Sequence, residues 1–284
     1  MSKSTDVEIK VVDAGSQVTG IAEAGEGQPV LLLHGSGPGV SGLANWRLTL
    51  PGLASAGFRA IAPDQLGFGR TVPPDDHRYS LESWVDHAID LLDSLGLERV
   101  HLIGNSFGGA VALRLAANHP ERVDRLVLMG AAGVPFPITA GLDLAWGYEP
   151  SVERMAEIIE LMSYDSSGFG RELIQQRYEA SIENGADERF AAMFPAPRQR
   201  WVDALSTSYE SIARITSPTL VIHGRDDRVV PIQNSMTLLQ LLPDVRAHIF
   251  GQCGHWTQIE HAAEFNDLVA SFFHETKDAA ARGA

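Results

Sequence analysis

The stretch Gly104-Asn105-Ser106-Phe107-Gly108 sets a serine between glycines two positions to either side, and that spacing points to a nucleophile. A serine at a tight strand-to-helix turn sits in crowded backbone, so the residues two places away must lack a Cβ. The flanks agree. The apolar run Val100-His101-Leu102-Ile103 comes before it, and the alanine-rich helical pattern from Gly109 to Leu115 follows. Such a turn lifts the hydroxyl off the sheet, while a new helix aims its free N–H groups at whatever the oxygen attacks.

A serine hydroxyl is a poor nucleophile at neutral pH and needs a base. Among ten histidines, His255 follows the last predicted strand directly, between Gly254 and Trp256, at the same carboxyl edge as Ser106. His34 also ends a strand, but it lies in a glycine-rich segment and reads as shaping that loop. His223 sits inside a strand and reads as a packed core histidine. His77, His87, His119, His261 and His274 fall in polar or helical contexts and read as surface positions. An imidazole base needs a carboxylate to hold its tautomer and stabilise the imidazolium. Gly224-Arg225-Asp226-Asp227-Arg228-Val229-Val230-Pro231 offers two. Asp227 is chosen, three residues past Gly224 and just before the turn that returns the chain to the core, with Asp226 left as a surface partner for Arg225 or Arg228. The attacked carbonyl also needs donors for its developing charge. These are expected from the N–H of Phe107 and from the Gly35-Ser36-Gly37 loop, through Ser36 or Gly37. A phosphate cradle is the rival reading of that loop, but no lysine or G-K-S/T pattern follows it.

The elements that must position these groups alternate strand and helix. Glu8 to Val12 and Val18 to Ala22 predict a hairpin around Gly15. Pro29 to His34, Arg59 to Asp64, Val123 to Met129, Pro218 to Gly224 and Arg246 to Phe250 predict further strands. Helices are expected over Trp46 to Ala56, Tyr79 to Leu95, about 108 to 118, and Ala262 to Glu275. This alternation implies an α/β fold with parallel pairing and right-handed crossovers. The rhythm breaks from Pro135 to about Tyr209, where helical stretches rich in Met, Leu, Tyr and Phe replace strands. That insertion reads as a cap over the carboxyl edge, and Lys277 to Ala284 as a frayed end.

Composition narrows the function classes. The formal net charge of −14 (22 Lys and Arg against 36 Asp and Glu) argues against nucleic acid and anionic membranes, which such a chain repels. It also means that an anionic substrate must be held by particular arginines. A single cysteine, Cys253, excludes an intrachain disulfide and a multi-cysteine metal site. No apolar run is long enough to span a membrane and the amino terminus lacks a signal-peptide core, so a cytoplasmic protein is expected.

The motifs together resemble the meta-cleavage-product hydrolases, carbon–carbon bond hydrolases of the α/β-hydrolase superfamily. His34-Gly35-Ser36-Gly37-Pro38-Gly39, Asn45-Trp46, Pro63 to Gly69, Gly104 to Gly109, Met129 to Gly133, Phe194 to Arg198 and Gly254 to Glu260 carry the resemblance. The order serine, aspartate, histidine is that of this superfamily. The resemblance implies an α/β-hydrolase fold, with a mostly parallel eight-stranded sheet, helices on both faces and a helical cap inserted before the last strands. The core would be residues 1–134 and 210–284, and the cap 135–209. It implies hydrolysis, without metal or cofactor, of an anionic 2-hydroxy-6-oxohexa-2,4-dienoate to 2-hydroxypenta-2,4-dienoate and a carboxylic acid. It also implies a homo-oligomer with a small-molecule substrate as its partner. Arg177 would fork onto the substrate carboxylate, with Asn45, Asn105 and Trp256 adding polar contacts. Ala132, Trp146, Val229 and Val230 would line the pocket for the C6 group, and a bulky Trp146 would favour hydrogen or small alkyl there. A carboxylesterase or thioesterase with the same triad is the main rival. Dehalogenases and epoxide hydrolases put aspartate where this chain has Ser106, and a non-catalytic receptor would not need an intact triad.

Overall fold

The computed structural model describes residues 5–275; the segment from Lys277 to Ala284 lies outside them. Eight strands form one sheet: β1 (Glu8–Ala14), β2 (Gln17–Ala24), β3 (Gln28–Leu33), β4 (Phe58–Pro63), β5 (Val100–Asn105), β6 (Val123–Met129), β7 (Thr219–Gly224) and β8 (Val245–Phe250). Their order is β1-β2-β4-β3-β5-β6-β7-β8. The β1–β2 and β2–β4 pairs are antiparallel and every other pair is parallel. The expected hairpin forms, turning at Gly15 with φ 59°.

The uninterrupted apolar strands are explained by burial on both faces. Leu31 and Leu33 of β3 join one core layer with α3 (Leu81–Ser94) and α4 (Phe107–Asn118). Val30 and Leu32, one residue out of phase, join the other layer with α2 (Thr49–Ser55) and α13 (Ala262–His274). Central β5 is buried along its whole length. Parallel pairing brings the carboxyl ends of β3, β5, β6, β7 and β8 to one edge, where the loops that follow them meet.

One expected element is split. Instead of a single helix over Trp46 to Ala56, the chain forms α1 (Gly42–Trp46) and then α2. Pro51 has no N–H to give the Arg47 carbonyl, so the helix restarts with the proline in its first turn. The break leaves Arg47 exposed while Trp46 is fully buried. Between β6 and β7 the described chain holds α5 (Ala140–Trp146), α6 (Val152–Met162), α7 (Arg171–Ile182), α8 (Ala186–Met193), α9 (Gln199–Ala204) and α10 (Tyr209–Ile212), with no strand. A short α11 (Gln233–Leu241) separates β7 from β8, and α12 (Thr257–Glu260) precedes α13.

His87, read as a surface residue, is buried on the inner face of α3 and bonds Thr19 Oγ1 at 2.8 Å. The helical spacing of Trp84, Ala88 and Leu91 put its face inward, and polarity alone misjudged it. His34, His87 and His101 are all buried, and burial pushes each ring down to about 4. The unfolded chain, with histidine near 6.5, therefore binds more protons between these limits. This part of the stability is complete above pH ~6.5 and is lost as pH falls toward 4. Urea midpoints should fall between pH 7.5 and pH 5, a range chosen about that window, and His87→Gln should flatten the slope.

Candidate active site

Ser106 stands between the end of β5 and the start of α4, with φ 54° and ψ −116°. A non-glycine residue there is strained by about 1–3 kcal/mol and must be held by its surroundings. The flanking glycines permit this. A Cβ on Gly104 would strike the Gly108 carbonyl, and one on Gly108 would strike the carbonyls of Leu33 and His34. Backbone bonds from Ser106 N–H to Met129 O (2.9 Å) and from Ala132 N–H to Ser106 O (3.0 Å) fix the turn.

Asp227 and His255 meet across the loops after β7 and β8. His255 Nδ1 lies 2.6 Å from Asp227 Oδ2, while Oδ1 accepts N–H bonds from Val229 (2.7 Å) and Val230 (3.0 Å). His223 joins them. Its Nε2 stands 3.0 Å from Val230 O and 3.3 Å from Asp227 Oδ2, both acceptors. Nε2 therefore carries the proton, and Nδ1 accepts from Ser235 Oγ at 2.6 Å. Burial pushes the Asp227 carboxyl up, but the charge of His255 and the donated bonds from His223 and His255 outweigh it. They hold the group well below the ordinary carboxylate range. Gly130, φ 49°, passes close in front of the pair, where an added Cβ would lie 3.2 Å from His255 Nδ1. Asp226 instead pairs with Arg225 at 3.1 Å on the surface.

Ser106 and His255 line one cavity with Ser36, Gly37, Asn45, Asn105, Arg177, Val229 and Trp256. Among the described residues no direct hydrogen bond joins the Ser106 hydroxyl to the His255 ring. In ligand-free enzymes such bonds are often long and tighten in the complex. The loop carrying Ser36 and Gly37 is pinned through His34. The Gln65 N–H donates to His34 Nε2 (3.0 Å), leaving Nδ1–H to bond the Gly35 carbonyl (2.8 Å). Phe107 begins α4, so its N–H is among those without an intrahelical partner. Asn105 is buried and donates from Nδ2 to Met129 O at 3.3 Å. Asn45 is held in place because Asp64 Oδ1 accepts the Gly42 N–H at 2.7 Å, fixing the start of α1. Its own Nδ2 is buried without a partner. Arg177 lies over the Trp256 ring, 5.7 Å from the centroid, whereas Glu179 bonds Gln175.

Three expected lining residues, Trp146, Val230 and Ala132, do not border this cavity. Trp146 Nε1 donates to Ser36 Oγ (2.8 Å) and its ring stacks on Phe194, with centroids 4.3 Å apart. Val230 is fully buried beside Asp227, and Ala132 lies behind the serine turn, bonded to it. The apolar wall comes instead from Met155, Ile158, Ile159 and Met162 of α6. Their i, i+3, i+4, i+7 spacing was visible in the sequence as an apolar stripe. His223 was visible too, but its link to Asp227 needed the turn at Val229-Val230 to be folded.

With this geometry in hand, likeness to known proteins is informative. Residues 28–262 match the family model for the alpha/beta hydrolase fold. The chain is 52% identical over 278 residues to a 2-hydroxymuconate semialdehyde hydrolase of Pseudomonas sp. strain CF600, covering 98% of this chain and 97% of that protein. It is 52% identical over 263 residues to a 2-hydroxy-6-oxo-2,4-heptadienoate hydrolase of Pseudomonas putida, covering 93% and 95%. A meta-cleavage product hydrolase from Pseudomonas fluorescens IP01, solved with acetates, superimposes with a TM-score of 0.92 at 52% identity, covering 93% and 97%. The chain belongs to the α/β-hydrolase fold family, among its meta-cleavage product hydrolases.

Two outcomes follow from the carboxylate geometry. Asp227→Asn should lower kcat by about 10⁴-fold through the wrong imidazole tautomer, while Asp226→Asn, measured in the same hydrolysis assay, should stay within a few-fold. His223→Phe removes one donor and leaves Asp227 more basic. The acidic limb of its kcat/KM profile should therefore move to higher pH, which a structural loss alone would not cause.

Proposed function

We propose that this protein cleaves the C5–C6 bond of 2-hydroxy-6-oxohexa-2,4-dienoates bearing hydrogen or a small alkyl group at C6, in the breakdown of aromatic compounds. One observation carries the reading. Arg177 has no carboxylate partner among the described residues and rests over Trp256 at the rim of the cavity that holds Ser106. A guanidinium so placed suits a substrate carboxylate, and the partnerless Asn45 amide suits a neighbouring oxygen. The relatives named for the semialdehyde and the heptadienoate are 52% identical, whereas one named for the 6-phenyl substrate is 37% identical over 263 residues.

Ser106, Asp227 and His255 are the catalytic set in this reading. The dienol first ketonises, with His255 carrying the proton to C5, which makes an electron sink beside the scissile bond. Ser106, or a water activated by the pair, then adds to the C6 carbonyl. Its oxyanion is met by the N–H of Phe107 and that of Ser36 or Gly37. Cleavage of C5–C6 releases 2-hydroxypenta-2,4-dienoate; the serine route leaves an acyl group on Ser106 that a water then hydrolyses, whereas the water route gives the carboxylic acid directly. Trp146, held by Ser36 and stacked on Phe194, limits the C6 group from behind the cavity wall. Asn105 adds a polar edge. A cytoplasmic setting, read from the sequence, and a homo-oligomer, read from the family resemblance, accompany the reading.

Loss of the yellow colour of ring-cleavage products on mixing with purified protein is the test. Products with hydrogen or methyl at C6 should exceed the phenyl product in kcat/KM by at least about tenfold, since each methylene in such a pocket is worth ~1–3 kcal/mol. Ser106→Ala should abolish cleavage. Fast hydrolysis of p-nitrophenyl esters with no bleaching of any dienoate would favour the esterase reading and reject this one.

A further inference from the structure

Beside the catalytic cavity lies a larger one, about 400 Å³, between α1, α7 and the loop carrying Trp256. Asn45, Arg177 and Trp256 line both cavities and so form the wall between them. The catalytic cavity itself holds only about 20 Å³, room for one water rather than a six-carbon dienoate. A dienoate bound at Ser106 therefore needs room beyond this cavity, and the chamber behind Asn45, Arg177 and Trp256 offers it.

The charge of this chamber is opposite to that of the protein. The chain carries 36 acidic and 22 basic residues, yet no acidic side chain lines the chamber among the described residues. Among the described residues its charged groups are Arg47 and Arg177 alone. Arg47 follows α1 directly, two positions after Asn45, and projects at the exposed end where the helix breaks before Pro51. Among the described residues neither guanidinium forms a salt bridge. Burial, and then the charge of Arg47, lower the Arg177 guanidinium to about 10. Two like charges facing one apolar chamber repel, and an anion between them relieves that repulsion. The partnerless Nδ2 of Asn45 adds a donor at the same wall.

We propose that this chamber is the receiving vestibule for an anionic dienoate, and that Arg47 draws its carboxylate in from solvent before Arg177 holds it. The inference rests on the proposed function for the identity of the anion. A net field of −14 slows the approach of any anion, and a local cation at the mouth of a low-dielectric channel reverses that effect where it matters.

The experiment compares wild type, Arg47→Gln and Arg47→Lys on 2-hydroxymuconate semialdehyde and on a neutral p-nitrophenyl ester. Salt is varied from roughly 0.01 to 1 M, which takes the Debye length from about 30 to 3 Å. At low salt Arg47→Gln should lower the dienoate-to-ester ratio of kcat/KM about tenfold, mainly through KM, and the gap should close at high salt. Arg47→Lys should retain most of the wild-type ratio. A ratio for Arg47→Gln within about twofold of wild type at low salt, or a loss that does not respond to salt, overturns the proposal. Calorimetric binding of sorbate (hexa-2,4-dienoate) separates this failure from that of the functional reading. If wild type cleaves no dienoate but binds sorbate more tightly than Arg47→Gln, the vestibule stands and the substrate assignment falls. Equal binding, or none, overturns the vestibule.

Discussion

The site depends on keeping one carboxylate ionised inside the protein. Left alone, the buried Asp227 would cost several kcal/mol and take up a proton. Four donors prevent that: the N–H groups of Val229 and Val230 on Oδ1, and the rings of His223 and His255 on Oδ2. All four come from β7 or the loops after β7 and β8, so the parallel register that pairs Gly224 with Phe250 is a condition of the chemistry. Gly130 shows how tightly the surroundings are drawn, since even a methyl group there would press on both partners.

Around that group the fold divides its work. The sheet edge supplies Ser106, Asp227, His255 and the Gly35-Ser36-Gly37 loop, all on short connections from buried strands. The helical insertion supplies what a sheet edge cannot: an apolar wall from α6, a tryptophan that braces Ser36, and the cation on α7. Under the proposed function, an anionic substrate of an acidic protein needs positive charge beside the site, and Arg47 after α1 and Arg177 on α7 would supply it.

Much of this was legible in the sequence because the signals are local. The strand–Ser–helix pattern with its glycines encodes its own geometry, and continuous apolar runs encode strands buried on both faces. The eight-stranded α/β-hydrolase fold came from the resemblance, and the architecture agrees with it. What local pattern could not supply was partnership across distance. His223 looks like a core residue until the Val229-Val230 turn folds back on it. His87 looks polar and exposed until its helix is seated. Trp146 and Val230 are near the site in space, yet only the folded chain shows the Trp146 ring donating to Ser36 and the Val230 N–H donating to Asp227. The break at Arg47 was marked by Pro51, but its use depends on a cavity formed by a helix more than a hundred residues away.

The last turn of α6 carries a mechanical consequence. The Met162 carbonyl accepts the N–H groups of both His255 and Trp256, and Arg228 reaches the carbonyls of Glu160 and Ser163. A helix terminus usually leaves such carbonyls to water or a cap; here they are riveted to the two loops that hold base and acid. That end of α6 cannot shift without drawing on the backbone that carries the imidazole.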